Sequence, residues 1–262
     1  RGFRLLRCFR QGRDDVGAMS MVPNAVDGPV QPAKPDPKRV ERTILPSTLD
    51  EGWQIEYSVH RLNNVLAADA KTTFMHELEG VIAKLCEESG KPAKECLAER
   101  LLGIPTWQPA PDFAGVQAGK WSEAVLDLSV YPSQEVNKVR KALYLKVYGW
   151  VGALRKNLAA KGIWCDAVCP ITGHCMYGDR TSNVFNELEG LTMMLGYDSI
   201  PIGCCGIVLH PKWFRNAYPT TTFTTATLEQ LQEAIAEVGK SPAMPTIIDE
   251  AAKECVDGDA CL

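Results

Sequence analysis

Apolar and polar positions change period along the chain, and the changes outline its elements. Trp53, Ile55, Tyr57 and Val59 alternate with polar neighbours, which predicts a strand from Gly52 to His60. Phe74, Leu78, Val81, Ile82 and Leu85 then recur at helical spacing and would share one face. A second, short helix is expected from Lys94 to Leu102, ending at Gly103, with Pro105, Pro109 and Pro111 breaking the chain after it. Alternation returns at Ala124, Leu126, Leu128 and Val130, a further strand that Pro132-Ser133 stops. From there Val136, Val139, Leu143, Val147, Trp150, Leu154 and Leu158 form one stripe at steps of three and four, the buried face of a long helix. Gly162 stands where a C-terminal left-handed cap belongs. Strands are expected at Ile163–Val168, His174–Tyr177, Cys204–Leu209 and Thr220–Thr225. A last helix follows, opened by a capping box of Thr227 and Gln230 and running through Leu231, Ile235 and Val238 to Gly239.

The order strand, long helix, several strands, helix predicts an α+β fold: a mostly antiparallel sheet with helices packed on it. The folded module is placed at residues 51–240. Before it, residues 17–50 carry six prolines and read as a disordered linker. Residues 1–16 hold Arg1, Arg4, Arg7, Arg10 and Arg13 among Phe3, Leu5, Leu6 and Phe9, with no acid before Asp14. That composition suits a mitochondrial transit peptide or a basic tail. Met19 and Met21 are internal candidates for a start that would omit it. Residues 241–262 read as an acidic, irregular tail.

Composition narrows the function. Apolar residues make up 45% and charged residues 23%, an ordinary globular balance. The net charge of −4 argues against a dedicated nucleic-acid binder, whose affinity needs a basic face. No apolar run is long enough for a transmembrane helix. Nucleotide-binding glycine loops, paired-histidine metal motifs and a serine-nucleophile elbow are all missing. The 10 cysteines contain no CxxC pair. Without a secretory signal, reduced thiols and an intracellular home are expected. Cys165, Cys169 and Cys175, with His174 beside them, are either buried filler or a loose metal site.

The most unusual element is Gly203-Cys204-Cys205-Gly206, which leads into the apolar run Ile207-Val208-Leu209. Its cysteines could be core filler, a strained vicinal disulfide, or one reactive or metal-binding thiol. In a strand, Cys205, Ile207 and Leu209 would share a face that looks like core. Cys204 would share the other face with Gly206, where the absent side chain leaves room for a ligand or partner. Cys204 is therefore the candidate ligand thiolate and Cys205 the packing thiol.

These residues belong to an ordered series. It comprises Gly162-Ile163-Trp164-Cys165-Asp166, Tyr177-Gly178, Thr181, Asn183, Leu195-Gly196-Tyr197, Gly203-Cys204-Cys205, His210, Trp213 and Phe223-Thr224-Thr225-Ala226-Thr227. Over about residues 120–228 the chain resembles the CblD family of cobalamin trafficking proteins. The resemblance implies a nitroreductase-like fold without flavin, and a non-enzymatic role beside a CblC-type protein that processes cobalamin (vitamin B12). It implies delivery of that cofactor to methionine synthase and methylmalonyl-CoA mutase, hence a mitochondrial or cytoplasmic setting. It further implies that Cys204 coordinates the cobalt of partner-held cobalamin. Gly203 and Gly206 would then give clearance for the corrin; Tyr197 and Trp213 are either further contacts or, as is commoner for such residues, half-buried core. Cys165, Cys169 and Cys175 fall outside the family pattern. Two rival readings stand beside the adaptor: a flavin- or thiol-dependent oxidoreductase on a nitroreductase-like fold, and an interaction module with zinc held by Cys165, Cys169, Cys175 and His174.

Overall fold

A computed structural model of the chain describes residues 42–110, 134–202 and 205–240, with backbone alone at 134–139, 202 and 205. The chain divides into two units, Arg1–Gln31 and Pro32–Leu262, and every described residue lies in the second. The basic segment 1–16, the strand expected at Ala124–Val130 and the tail 241–262 lie outside the described residues.

The described elements, in chain order, begin with strands β1 (Thr43–Asp50) and β2 (Ile55–Arg61) and helices α1 (Asn64–Thr73), α2 (Met75–Ser89) and α3 (Ala93–Arg100). Next come β3 (Leu102–Pro109), α4 (Gln134–Ala159), β4 (Cys165–Ala167) and α5 (Glu187–Leu195). The remainder is β5 (Ser199–Ile202), β6 (Cys205–Val208), β7 (Ala217–Thr224) and α6 (Leu228–Lys240). Five strands form one antiparallel sheet in the order β1-β2-β3-β7-β4, and β5-β6 make a separate hairpin. The α+β reading with a mostly antiparallel sheet is therefore correct.

The sheet separates two cores. Directly opposed residues of β3 and β7 share a face, and the pair runs unbroken from Leu102↔Thr224 to Pro109↔Ala217. On one face Leu102 and Ile104 join Ile55, Tyr57 and Val59 of β2, and α4 and α6 cover them with Val147, Trp150, Leu154, Leu231 and Val238. On the other, Trp107 and Phe223 meet Leu66 of α1, Leu78 of α2 and Leu191 of α5. Two polar anchors join β1–β2 to the helices. Asp50, only 7% exposed, accepts from Gly52 and Trp53 amides and, at 3.0 Å, from Trp150 Nε1 of α4. Trp53 Nε1 donates to the Val238 carbonyl of α6 at 3.1 Å.

Two helix boundaries foreseen from their cap residues, the end of α4 and the start of α6, are present. The Gly162 amide bonds to the Ala159 carbonyl and the Ile163 amide to the Leu158 carbonyl, with Gly162 at φ +70°: a Schellman closure. Thr227 and Gln230 exchange the two hydrogen bonds of a capping box.

Four expectations need correction. The end of the expected linker, 43–50, is β1, so the module starts earlier than residue 51. Its Pro46 is tolerated because β1 is an edge strand and its register shifts between Leu45 and Thr48. The proline-marked stretch after Gly103 is no break but β3, the middle strand. Pro105 sits where partners with β2 skip from Thr106 to Gly103, so its missing donor does not interrupt the ladder to β7. His174–Tyr177 makes only an isolated bridge, Cys175 to Val168. The strand expected at Gly52–His60 starts at Ile55, because Gly52–Gln54 turn around Asp50.

Trp150→Phe deletes the donor to buried Asp50 while keeping most of the ring. Urea unfolding should show a loss of about 2 kcal/mol, the cost of stranding a buried charged acceptor; an unchanged midpoint would show that the pair contributes nothing.

Candidate functional site

The Gly-Cys-Cys-Gly element lies at the β5–β6 hairpin. Ile202 pairs with Cys205 and Pro201 with Gly206, so only Gly203 and Cys204 separate the two strands. Those two residues lie outside the described residues, and with them the face expected for Cys204. Cys205 enters β6, and its backbone alone is described. The hairpin joins no strand of the main sheet; it rests on α5.

Gly206 packs against α5: a Cβ at this position would meet the methyl end of the Leu188 side chain, so β6 and α5 approach closely here.

Just past β6, His210 anchors the hairpin's base. The residue is 2% exposed. Its Nδ1 accepts from the Lys212 and Trp213 amides at 3.2 and 3.3 Å. Nε2 lies 3.1 Å from Glu56 Oε1 of β2. Two amide donors at Nδ1 require a lone pair there, so in the neutral ring the proton sits on Nε2 and is donated to Glu56. Trp213 stacks on the ring at 4.4 Å, and Tyr197 meets it edge-on at 5.8 Å. Trp107 closes the group at 4.9 Å. Tyr197 and Trp213 are thus half-buried walls around His210, the core alternative weighed for them. Burial would raise the Glu56 carboxyl, but bonds from His210 and Ser47, with Lys212 nearby, hold it below its ordinary value.

The earlier part of the residue series forms a second polar network. Asp166 of β4, fully buried, accepts from the Ala167, Tyr177 and Gly178 amides, and so ties β4 to the following loop. Burial pushes its carboxyl up to about 6 despite those donors. Glu77 of α2 accepts from Arg155 of α4 at 3.1 Å and from Trp164 Nε1 at 2.7 Å. Thr181 and Asn183 turn back onto the Thr72 and Thr73 carbonyls at the end of α1. These residues hold elements together rather than surrounding an open site.

The rival zinc reading finds no assembled cluster among the described residues, and the three cysteines are buried as the filler reading has them. Cys165 packs in the core under α4, Cys169 against Tyr144 and Leu145, and Cys175 in the opposite core. Three sulfurs in three packing groups do not converge on one ion. Among the described residues no group of three or more His, Cys, Asp or Glu could hold a metal. Burial pushes the Cys175 thiol up to about 11 and raises Cys165 further, so both stay protonated at neutral pH.

Sequence reasoning missed Glu56, Glu77 and Leu188. Glu56 and Glu77 look like ordinary charges on solvated faces, and Leu188 like ordinary helix filler. Their partners lie 154, 87 and 18 positions away, respectively, in His210, Trp164 and Gly206. No local spacing reports such pairs.

Gly206→Ala should destabilise the protein by about 1–3 kcal/mol through overpacking, and adding Leu188→Ala should recover part of that loss in a double-mutant cycle. Glu56 titrates below its ordinary value when folded, so its stabilisation is complete above about pH 4.5 and is lost as pH falls through the lower, folded value. Glu56→Gln should therefore cost about 1–2 kcal/mol at pH 7 and flatten the acid limb of the stability curve; parallel acid limbs would refute the assignment.

No family model matches the chain. It is 30% identical over 103 residues to "Cobalamin trafficking protein CblD" of Rattus norvegicus, covering 39% of this chain and 34% of the relative. The protein of the same name from Mus musculus is 29% identical over 103 residues, with the same two shares. That of Homo sapiens is 30% identical over 101 residues, covering 38% and 34%. The chain therefore spans about a third of the length of these curated relatives. The matches support a relationship of this chain to the CblD family.

Proposed function

We propose that this chain is a cobalamin-trafficking adaptor. It meets a CblC-type protein that holds cobalamin, and it directs the cofactor toward methionine synthase or methylmalonyl-CoA mutase, in the cytosol or the mitochondrion. It does so without catalysing a reaction, on a nitroreductase-like core that carries no flavin. Cobalamin is cargo shared with the partner.

The observation that carries this reading is the β5–β6 hairpin. Its two short strands pair with each other outside the main sheet, and in the sequence Gly203 and Cys204 connect them, which supports the reading. Its base is held by the His210–Glu56 bond and its flank by Leu188. In the proposed contact the Cys204 thiolate is the axial ligand to cobalt. A free thiol near pKa ~8.5 is mostly protonated at neutral pH. Coordination to a polarizable metal favours the thiolate, so the contact should release a proton and strengthen as pH rises toward that value. Gly203 would provide the approach to the corrin face.

Cobalamin absorption reads this contact directly. Mixing the full chain with a CblC-type protein and cobalamin should shift the cobalamin bands. Cys204→Ser should abolish the shift, and Cys205→Ser should retain it. Bands that stay shifted in Cys204→Ser would remove the ligand assignment. A purified chain that is yellow with stoichiometric flavin would favour the oxidoreductase reading instead.

A further inference from the structure

Two cysteines outside the hairpin face each other across a helical corner. Cys86 lies in the last turn of α2 and Cys96 in the first half of α3. Gly90, at φ +65°, closes α2, and Pro92 caps α3, so the chain reverses within a few residues. Cys86 stands one helical turn before Ser89, the side chain that Cys96 Sγ meets, and burial first and the neighbouring Cys96 next push the Cys86 thiol up. Cys96 Sγ lies 2.9 Å from Ser89 Oγ and 3.5 Å from the Lys91 carbonyl, so it points into the corner rather than away from it. Both are free thiols, Cys86 half-buried and Cys96 only 2% exposed. Beside them opens a cleft of about 300 Å³, lined by Leu85, Glu88, Ser89, Cys96, Glu99 and Arg100. Cys96 thus lines a cleft large enough for a small solute.

We propose that Cys86 and Cys96 are an oxidative modification site, where a hydroperoxide joins them in a disulfide that locks α2 to α3. The Cys96 thiolate attacks the peroxide O–O bond, forming a sulfenic acid and releasing the alcohol, or water when the oxidant is hydrogen peroxide. Cys86 then attacks that sulfur, the S–S bond forms, and the sulfenic oxygen leaves as water. Two thiols lose two electrons and two protons, and the peroxide is reduced by two electrons. The geometry favours this pair over the other described cysteines. Cys165, Cys169 and Cys175 lie in three separate packing groups, and none has a neighbouring sulfur that a described contact reports. The cross-link would restrain α3, a helix of 8 residues whose buried side chains are Cys96 and Leu97 alone. This inference does not rest on the cobalamin reading.

The sequence makes the test direct. Trypsin cuts after Lys84, Lys94 and Arg100 but not at Lys91-Pro92, so Cys86 and Cys96 fall on separate peptides, residues 85–94 and 95–100. The folded full chain is treated with hydrogen peroxide, blocked with N-ethylmaleimide, digested and weighed without reduction. The expected result is one joined species, two hydrogens lighter than the sum of the two peptides, which dithiothreitol separates. Maleimide labelling should fall in parallel at both cysteines, and Cys86→Ser and Cys96→Ser should each abolish the joined species. Separate peptides both carrying maleimide would overturn the proposal. So would Cys96 over-oxidised while Cys86 remains labelled, or either cysteine joined to a different partner or to a second chain.

Discussion

The pairing of β3 with β7 is the constraint on which the rest depends. Its eight consecutive partners place Leu102 and Ile104 on one face and Trp107 and Phe223 on the other, and each face then recruits its own helices. A slip of one residue would exchange the two sets, exposing Trp107 to the space that α4 and α6 fill. Thr106 reinforces the register by donating to the Thr220 carbonyl at 2.7 Å. Because β3 is the middle strand, this single ladder positions β2 on one side and, through β7, β4 on the other.

Buried carboxylates make the connections that apolar packing cannot specify. Asp50 links the β1–β2 turn to α4, Asp166 links β4 to the loop at Tyr177, and Glu56 links β2 to the hairpin base. Each has oriented donors, which is what makes a buried charge tolerable and directional. Glu187 of α5 is the contrast. One oxygen accepts from Thr221 at 2.6 Å, the other is buried without a partner, and burial pushes the group up to about 7. Directionality matters most at the hairpin, which has no sheet neighbour to align it. There the His210 ring has both nitrogens engaged and aromatic rings around it, so the segment after β6 has one orientation.

The ordered residue series thus mixes two kinds of position. Trp164, Asp166, Tyr177, Gly178, Thr181, Asn183 and His210 bond elements to one another. Gly206 allows two elements to touch. A resemblance carried by many residues therefore does not imply an equally large functional surface; much of it is scaffold, partly around β4 and partly at the hairpin base.

The sequence by itself determined whatever depends on neighbours within about a turn or a strand's width. The α4 stripe from Val147 to Leu158, the Gly162 closure, the Thr227 capping box and the α+β class all follow from periodicity and cap chemistry over a few residues. The Gly-Cys-Cys-Gly element also stood out without any structure, because its residue types are unusual in a row. Tertiary structure alone decided that the proline-marked stretch at Leu102–Pro109 is the middle strand, that Pro46 belongs to an edge, and that Gly206 serves Leu188. It also decided that three nearby cysteines fall in separate packing groups while Cys86 and Cys96 flank one helical corner. These outcomes depend on which ladder position lacks a donor and which side chains oppose across layers, and such distances in space are independent of separation along the chain.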